Sequence, residues 1–298
     1  MVFENSISNT VIARGPVTKN AMTVDVEDYF QVSAFEAHIQ PRNWDDLPHR
    51  IELTMDRILN LFSDREIKAT FFTLGWIAER YPSVIRRIVA DGHELASHGW
   101  AHVRVTQQDE AGFKEDVTKT KTFLEDLAGV AVRGYRAASY SIGEGNLWAL
   151  QALADVGYEY SSSIYPIQHD LYGMPSAPRF AFHPYAESGF LEIPVTTLEI
   201  NGNKLPCGGG GYFRLFPYFY SRWAMRRVNM RDEQPCIFYF HPWEIDPAQP
   251  RQKGLSMKTR TRHYLNLCRM ERRIERLLAD FQWGRMDEVF LRSGTGAI

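Results

Sequence analysis

The sequence has few cysteines and no pattern that would join them. Cys207, Cys236 and Cys268 are scattered and lack Cys-x-x-Cys spacing, which argues against a disulfide framework and a thiolate zinc site. No run of about eighteen apolar residues occurs, so we expect no transmembrane helix. Residues 1–20 lack the basic and apolar regions of a signal peptide, which favours a cytoplasmic protein.

The sequence also has no large excess of either acidic or basic residues. The 298 residues carry 34 basic and 36 acidic side chains, a net charge of −2, so no global field would recruit nucleic acid. Residues 251–298 are an exception because they contain more basic than acidic residues, which we interpret as the solvent-exposed face of a helix. We find no repeat, linker or low-complexity tract. We therefore predict an N-terminal segment 1–20, one domain 21–250 and a C-terminal basic helical extension 251–298 packed on it.

The apolar pattern alternates between strands and helices. Predicted strands are 21–27, 69–75, 93–97, 132–140, 158–164, 189–195 and 235–240. Predicted helices are 50–62, 76–90 with a break at 79–81, 109–128, 147–156, 216–228 and 259–281. This rhythm predicts an α/β fold with a parallel sheet. The glycine-rich stretch 206–213 lacks a nucleotide-binding register, and we expect it to be a flexible loop.

Two histidines follow the third predicted strand. If Gly99 to His102 turn helically, His98 and His102 lie on one face with Cβ atoms about 5–6 Å apart, close enough to share a metal ion. Surface or capping histidines would show the same spacing. The metal interpretation therefore depends on what the neighbouring strands supply.

The first predicted strand ends in acidic residues. Because a strand has a period of two, Asp25 and Glu27 project to the same side while Val24 and Val26 pack on the other. Two carboxylates that face the same way repel each other unless a cation or a shared proton lies between them. An acidic loop in water is the alternative, and Asp28 extends it.

Arg136 and His241 also stand where predicted strands end. In a parallel sheet or barrel these ends lie on one rim, so residues distant in sequence meet there. Two imidazoles and one carboxylate leave a fourth position for water, as in catalytic zinc sites. Zinc lowers the pKa of that water to about 7, while a second carboxylate can act as base and a separate histidine as acid. These groups predict metal-assisted hydrolysis of an amide or ester.

Four motifs resemble the polysaccharide deacetylases, the NodB-homology family or carbohydrate esterase family 4, in order and spacing. They are residues 23–28 (TVDVED), 97–102 (SHGWAH), 136–140 (RAASY) and 240–243 (FHPW). The first and last look most like the branch found in bacterial exopolysaccharide and protein-sorting loci. The resemblance implies a distorted (β/α)7 barrel that hydrolyses N-acetyl groups of amino sugars in a bacterial polysaccharide or its precursor.

The resemblance also implies roles for individual residues. Asp25 would be the general base, Arg136 its partner and His241 the general acid. His98 and His102 would bind Zn²⁺, or another divalent ion such as Co²⁺ or Ni²⁺. Family members usually have two adjacent aspartates where this chain has residues 25–28 (DVED), so the third ligand rests on strand alternation, which favours Glu27, with Asp28 as the alternative if the strand ends at Val26. The remaining implied contacts are a backbone N–H of Tyr140 or Ser139 for the oxyanion, and sugar stacking by loop aromatics: Tyr29, Phe30, Trp44, Trp100, Tyr140 and Trp243.

Three positions depart from the family pattern. Gly99 and Ala138 replace a common hydroxyl residue and a common proline. Ser161 stands where the family usually has an aspartate that orients the acid histidine, and whether Glu244 substitutes for it is open. Two other functions therefore stay in view: an allantoinase-like or imidase-like cyclic amide hydrolase, and a catalytically silent glycan-binding subunit that contacts a partner or membrane through helix 259–281. The expected partner is an N-acetylated glycan or sugar precursor, and a homo-oligomer is left open.

Overall fold

The computed structural model of the protein describes residues 18–169, 172–185 and 188–291. Most of the predicted segment 1–20 and residues 292–298 of the predicted extension lie outside the described residues. The strands are β1 Asn20–Val26, β2 Thr70–Thr73, β3 Glu94–Ser97, β4 Gly134–Tyr135, β5 Tyr160–Ser161, β6 Leu191–Glu192, β7 Thr197–Ile200, β8 Asn203–Pro206, β9 Ile237–Phe240 and β10 Trp283–Gly284. The α-helices are α1 Ile51–Ser63, α2 Gly75–Arg80, α3 Pro82–Ala90, α4 Glu110–Ala128, α5 Trp148–Val156, α6 Gly210–Leu215, α7 Tyr218–Arg227, α8 Met257–Tyr264 and α9 Leu267–Asp280.

The main sheet is parallel and curls into a distorted (β/α)7 barrel, which confirms the predicted fold class. β1 pairs with β9 on one side and with β2 on the other, and β3 to β6 follow β2 in order. β10 adds to the start of β1, where Asn20 and Ala21 face Trp283 and Gly284. All the strand ends that precede the predicted site residues therefore lie on one rim.

β1 is buried along its whole length because it has a strand on each side and helices behind it. Val24 and Val26 belong to the main apolar core, whereas Asp25 is 2% exposed within the barrel. The strand therefore delivers a carboxylate into a space from which bulk water is largely excluded.

Helix boundaries follow the local signals that the sequence carries. The side chain of Asp109 accepts a hydrogen bond from the backbone N–H of Gly112 and begins α4. Gly129 ends α4 in the left-handed conformation, with φ of 67°. The predicted break in helix 76–90 is confirmed, since Pro82 starts a new helix after Tyr81.

The C-terminal region differs from the prediction of one long helix. Helices α8 and α9 are separate because Asn266 adopts a left-handed conformation between them, with φ of 55°. α9 turns its apolar face inward and buries Leu267, Met270, Ile274, Leu277 and Leu278. The division into 21–250 and 251–298 stays a prediction.

A two-stranded hairpin, β7–β8, was not predicted. Its turn consists of Asn201 and Gly202, both with positive φ, which is a hairpin signal readable in the sequence. The described residues contain no helix that is both long and apolar enough to cross a membrane. The three cysteines form no disulfide.

Candidate active site

Asp25, at the carboxyl end of β1, forms a buried ion pair with Arg136. Nη1 of Arg136 lies 2.5 Å from Oδ1 of Asp25 and also donates to the hydroxyl of Thr23 at 2.9 Å. Its Nε and Nη2 donate to the carbonyl and hydroxyl oxygens of Ser162, both at 3.2 Å. Because every nitrogen of this fully buried guanidinium has a partner, Asp25 is held in one orientation.

His98 and His102 are brought together by a loop, not by the helical turn that the spacing predicted. Gly99 and His102 both have positive φ, 75° and 55°. The backbone N–H of Gly75 donates to the carbonyl of Gly99 at 3.0 Å, which anchors the loop to the start of α2. The two imidazole centroids lie 5.2 Å apart. The positive φ at position 99 suits glycine, so the departure from the family pattern has a conformational reason.

His98 presents an unprotonated nitrogen to the site. Its Nδ1 lies 2.8 Å from the carbonyl oxygen of Arg136, which can only accept, so Nδ1–H donates and Nε2 keeps its lone pair. Burial lowers the pKa of His98 to about 4 and the pKa of His102 well below the usual value. Both imidazoles are therefore neutral, as metal ligands must be.

Glu27 completes a cluster with the two histidines. One ligand atom from each of Glu27, His98 and His102 lies within 4.8 Å of the others. Oε2 of Glu27 is buried and has no hydrogen-bond partner, although Nε2 of His102 is only 3.1 Å away. Burial, with a smaller contribution from Asp25, raises the pKa of Glu27 to about 7, although His241 opposes the shift.

The cluster fits a divalent metal ion. The 3.1 Å separation of Oε2 and Nε2 is close to the edge of about 3.3 Å expected for a tetrahedron with metal–ligand bonds near 2.0–2.1 Å. A buried carboxylate oxygen without a donor is costly unless a cation neutralises it. Two neutral imidazoles and a carboxylate are the donor types of hydrolytic zinc sites.

Asp28, the alternative third ligand, points elsewhere. Its Oδ2 accepts backbone N–H groups from Arg50 at 2.6 Å and Ile51 at 3.0 Å, and its Oδ1 accepts from Tyr29 at 2.8 Å. The carboxylate of Asp28 thus stabilises the first turn of α1. The structure groups Glu27 with the histidines and leaves Asp28 outside that group.

His241 lies across the site from the two neutral histidines. Its Nε2 is 3.3 Å from Oε1 of Glu27 and 3.8 Å from Oδ2 of Asp25, and its ring stacks on Trp243. Burial lowers the pKa of His241, but Glu27, Glu244 and Asp25 together raise it to about 9. This imidazole is therefore a proton donor at neutral pH.

The sequence left open whether Glu244 takes the place of the aspartate that Ser161 replaces. In the structure, Glu244 contacts Nδ1 of His241. Its Oε1 lies 3.4 Å from Nδ1 of His241 and 3.5 Å from Nη2 of Arg214, and all three side chains are largely buried. A Cβ at Gly210 would fall 1.8 Å from Oε2 of Glu244, so only glycine admits this carboxylate. The glycine stretch is not the flexible loop that we predicted, because α6 begins at Gly210.

Ser161 belongs to a neighbouring hydrogen-bond network. Its hydroxyl donates to the hydroxyl of Ser163 at 2.7 Å. Oε1 of Glu192 accepts the backbone N–H groups of Ser163 and Ile164, at 2.9 and 2.8 Å. Sequence reasoning missed Glu192, although a lone carboxylate between Leu191 and Ile193 in an apolar strand was the available signal.

Ser139 and Tyr140 form a strained turn beside the site. Both have positive φ, 53° and 52°, which is costly for residues other than glycine. The backbone N–H of Tyr140 already donates to the carbonyl of Ala137 at 3.0 Å, so of the two implied oxyanion donors only the N–H of Ser139 stays a candidate. The phenol oxygen of Tyr140 is buried without a hydrogen-bond partner.

One cavity of about 300 Å³ lies at the centre of the site. It is lined by the predicted substrate contacts Ser139, Tyr140 and Trp243 and by the following acidic and imidazole groups: Asp25, Glu27, Glu244, His98, His102 and His241. Tyr239 and Arg214, which the sequence did not single out, also line it. The expectation that loop aromatics are exposed for sugar stacking is wrong for five of the six, which are at most 5% exposed: Tyr29, Phe30, Trp44, Tyr140 and Trp243. Of these five, only Tyr140 and Trp243 line the cavity.

Comparisons with family models divide the chain in two. Residues 42–161 match the model described as polysaccharide deacetylase, and residues 162–291 match a domain of unknown function (DUF3473). The first range contains His98, His102 and Arg136, and the second contains His241. Asp25 and Glu27 precede both ranges.

Characterised proteins with deacetylase names are similar to part of the chain. The peptidoglycan-N-acetylglucosamine deacetylase of Bacillus cereus is 34% identical over 109 residues, which is 36% of this chain and 39% of that protein. The chitin deacetylase of a Pestalotiopsis species is 32% identical over 123 residues, or 38% and 40% of the two chains. This chain therefore spans about two fifths of the length of these relatives.

A solved structure from Mycobacterium smegmatis, assigned to the polysaccharide deacetylases, is similar over 94% of this chain and 93% of that one. The TM-score is 0.58 at 19% sequence identity. The likeness shows a shared fold.

Proposed function

We propose, starting from the polysaccharide deacetylase domain that this chain contains, that the protein is a metal-dependent hydrolase. It would remove N-acetyl groups from amino sugars of a bacterial polysaccharide or its precursor. The observation that carries the proposal is the grouping of Glu27, His98 and His102 in one cavity with Asp25 and His241.

Glu27, His98 and His102 would hold the metal ion, for which Zn²⁺ is our first choice and Co²⁺ or Ni²⁺ the alternatives. When bound, such an ion polarises a carbonyl group and lowers the pKa of water. The protein's own contribution is to keep both imidazoles neutral and the carboxylate oriented, through the Nδ1–H of His98 and the dry surroundings of Glu27.

Asp25 would take the proton from the attacking water as that water bonds to the acetyl carbon. Arg136 keeps Asp25 aligned through the 2.5 Å contact. His241 would then give a proton to the amide nitrogen as the carbon–nitrogen bond breaks, which releases acetate and a free amine. The two groups stand 3.8 Å apart, so one substrate amide can lie against both.

Glu244 would position His241, in the role that the family usually gives to the aspartate at the place of Ser161. Its contact with Nδ1 fixes the ring so that Nε2 faces the substrate. The N–H of Ser139 would receive the developing negative charge on the acetyl oxygen, and the phenol of Tyr140 and the ring of Trp243 would contact the sugar.

The direct test is acetate release from chito-oligosaccharides by protein that has been stripped with a chelator and reloaded with Zn²⁺, Co²⁺ or Ni²⁺. We expect no activity in the stripped protein and activity that returns with stoichiometric metal. Ring opening of cyclic amides without acetate release would favour the cyclic amide hydrolase. Glycan binding without turnover at any metal loading would favour the silent subunit. The matches reported above favour neither alternative.

A further inference from the structure

One helix carries apolar side chains on the face that points away from the core. α7 continues into a π-helical turn at Val228–Asp232, and the segment buries Ala224, Met225 and Val228 against the protein. The opposite face presents Phe219, Trp223 and Met230, which are 72%, 45% and 80% exposed. These three therefore add nothing to the packing of the core, and their burial elsewhere would be favourable.

The same face is strongly basic. Arg222, Arg226, Arg227 and Arg231 line a shallow groove of about 850 Å³ together with the three apolar residues. Within α7 and the turn that follows it, the only acidic side chain is Asp232, which pairs with Arg179 at 2.9 Å. Asp280 of α9 pairs with Arg222 at 3.0 Å and with Arg226 at 3.6 Å, so one carboxylate serves two guanidinium groups. The arginine–aromatic patch, as we call these seven residues, keeps a surplus of positive charge.

We propose that the arginine–aromatic patch is a docking site for the surface of an anionic lipid bilayer. Arginines attract anionic headgroups, while Phe, Trp and Met side chains at the same surface enter the boundary between headgroups and acyl chains. The site lies on the segment of unknown function, apart from the cavity that holds His241. It would bring a deacetylase to a membrane without a spanning helix.

Other occupants fit the patch less well. A symmetric contact between two copies would place the arginines of one chain against those of the other, and like charges repel. A soluble anionic polymer would satisfy the arginines but leaves Phe219 and Met230 in water. An anionic bilayer satisfies both features at once.

The test is flotation of the full chain with phosphatidylglycerol-containing vesicles and with pure phosphatidylcholine vesicles. We expect binding to the former only, weakened by salt. Phe219→Ser and Met230→Ser should each weaken partitioning about tenfold, and Arg227→Gln and Arg231→Gln about fivefold each. Matched controls are the exposed apolar residues Leu53→Ser and Val130→Ser and the exposed arginines Arg65→Gln and Arg86→Gln, which should bind as the parent does.

Three results would overturn the proposal. Equal binding to both vesicle types, or binding to neither, would contradict the proposal that the patch binds an anionic bilayer. A dimer in light scattering that the patch variants abolish assigns the patch to a second copy. Binding to polyglutamate that survives Phe219→Ser and Met230→Ser assigns it to a soluble polymer. Acetate release from a soluble oligomer should be the same in all patch variants, so failure here is distinguishable from failure of the proposed hydrolysis.

Discussion

The two ends of the barrel each bury a glutamate, and the difference between them shows how a site is distinguished from a structural polar cluster. At the carboxyl end, Glu27 has a pKa raised to about 7 by burial. At the amino end, Glu94, the first residue of β3, has a pKa raised to about 7 by burial and by the nearby Asp287. A raised pKa therefore does not by itself distinguish the candidate site at the carboxyl end from the polar cluster at the amino end.

The hydrogen-bond partners separate them. Oε1 of Glu94 accepts from the hydroxyl of Tyr160 at 2.9 Å, and Oε2 accepts from Thr70 at 2.5 Å and from the backbone of Asp287 at 3.1 Å. Every oxygen of Glu94 is satisfied within the protein, which ties β10 and its neighbours to the sheet. Oε2 of Glu27 has no donor and faces an imidazole nitrogen instead. An unsatisfied oxygen that is grouped with two neutral imidazoles, and not the shifted pKa, distinguishes Glu27 as a candidate ligand from Glu94.

Substitution of His98 or His102 should have the largest effect, because it removes a proposed metal ligand from the carboxyl end and leaves the amino end unchanged. In His98→Ala and in His102→Ala we expect the bound metal to be lost, with a larger drop in affinity than the about 10- to 100-fold that follows from losing a group that only hydrogen-bonds to a ligand. Acetate release should fall to background. Metal content by mass spectrometry and acetate release measure both effects, and Glu94→Gln is the control that should keep its metal. Full occupancy in both histidine variants would end the metal assignment.

Asp25→Asn tests whether Asp25 acts as the general base without being a metal ligand, at the carboxyl end of the barrel. The amide cannot accept the proton, so we expect kcat for acetate release to fall about 10²- to 10⁴-fold. Metal content should be retained, since Asp25 is not among the three grouped ligand residues. Asp287→Asn at the amino end is the matched control. A near-normal kcat in Asp25→Asn would mean that another group takes the proton.

Glu244→Gln tests the positioning of His241. We expect kcat to fall by up to about 10²-fold, with KM and metal content unchanged, because the ring would lose its fixed orientation. Gly210→Ala should act in the same way, since its Cβ displaces Glu244, whereas at Gly211 nothing lies within 4 Å of an added carbon. If Gly210→Ala and Gly211→Ala behave alike, the role of Glu244 is wrong.

Glu94→Gln should leave acetate release unchanged and alter only the pH dependence of stability. The folded state holds the proton of Glu94 up to about pH 7, against 4.5 in the unfolded chain, so its stabilising effect is complete below 4.5 and is lost as pH rises through 7. Relative to the parent, the variant should become progressively more stable as pH rises from about 5 to about 8. Urea unfolding measures this gain, and identical pH slopes in both proteins would contradict it.

Much of the fold was readable in the sequence because it depends on local periodicity. The alternation of apolar strands and amphipathic helices predicted a parallel α/β sheet, and the motif resemblance implied that it closes into a distorted barrel. Asp25, His98, His102 and His241, expected on one rim, line one cavity. Short-range signals were sometimes present and missed, as with Asn201 and Gly202 in the hairpin turn. The break between α8 and α9 depends on the left-handed conformation of Asn266, which the identity of that residue does not predict by itself.

What the sequence by itself determined is which chemical groups reach the rim: strand period and motif order place Asp25, His98, His102 and His241 there. Only the tertiary structure decided which carboxylate faces which partner. Asp28 is drawn to the backbone of α1, Glu27 is left facing the histidines, and Glu244 reaches His241 because Gly210 makes room for it. Strand alternation had already favoured Glu27, but the donors that hold Asp28 and the space that admits Glu244 come from chain segments distant in sequence, and no local pattern specifies them.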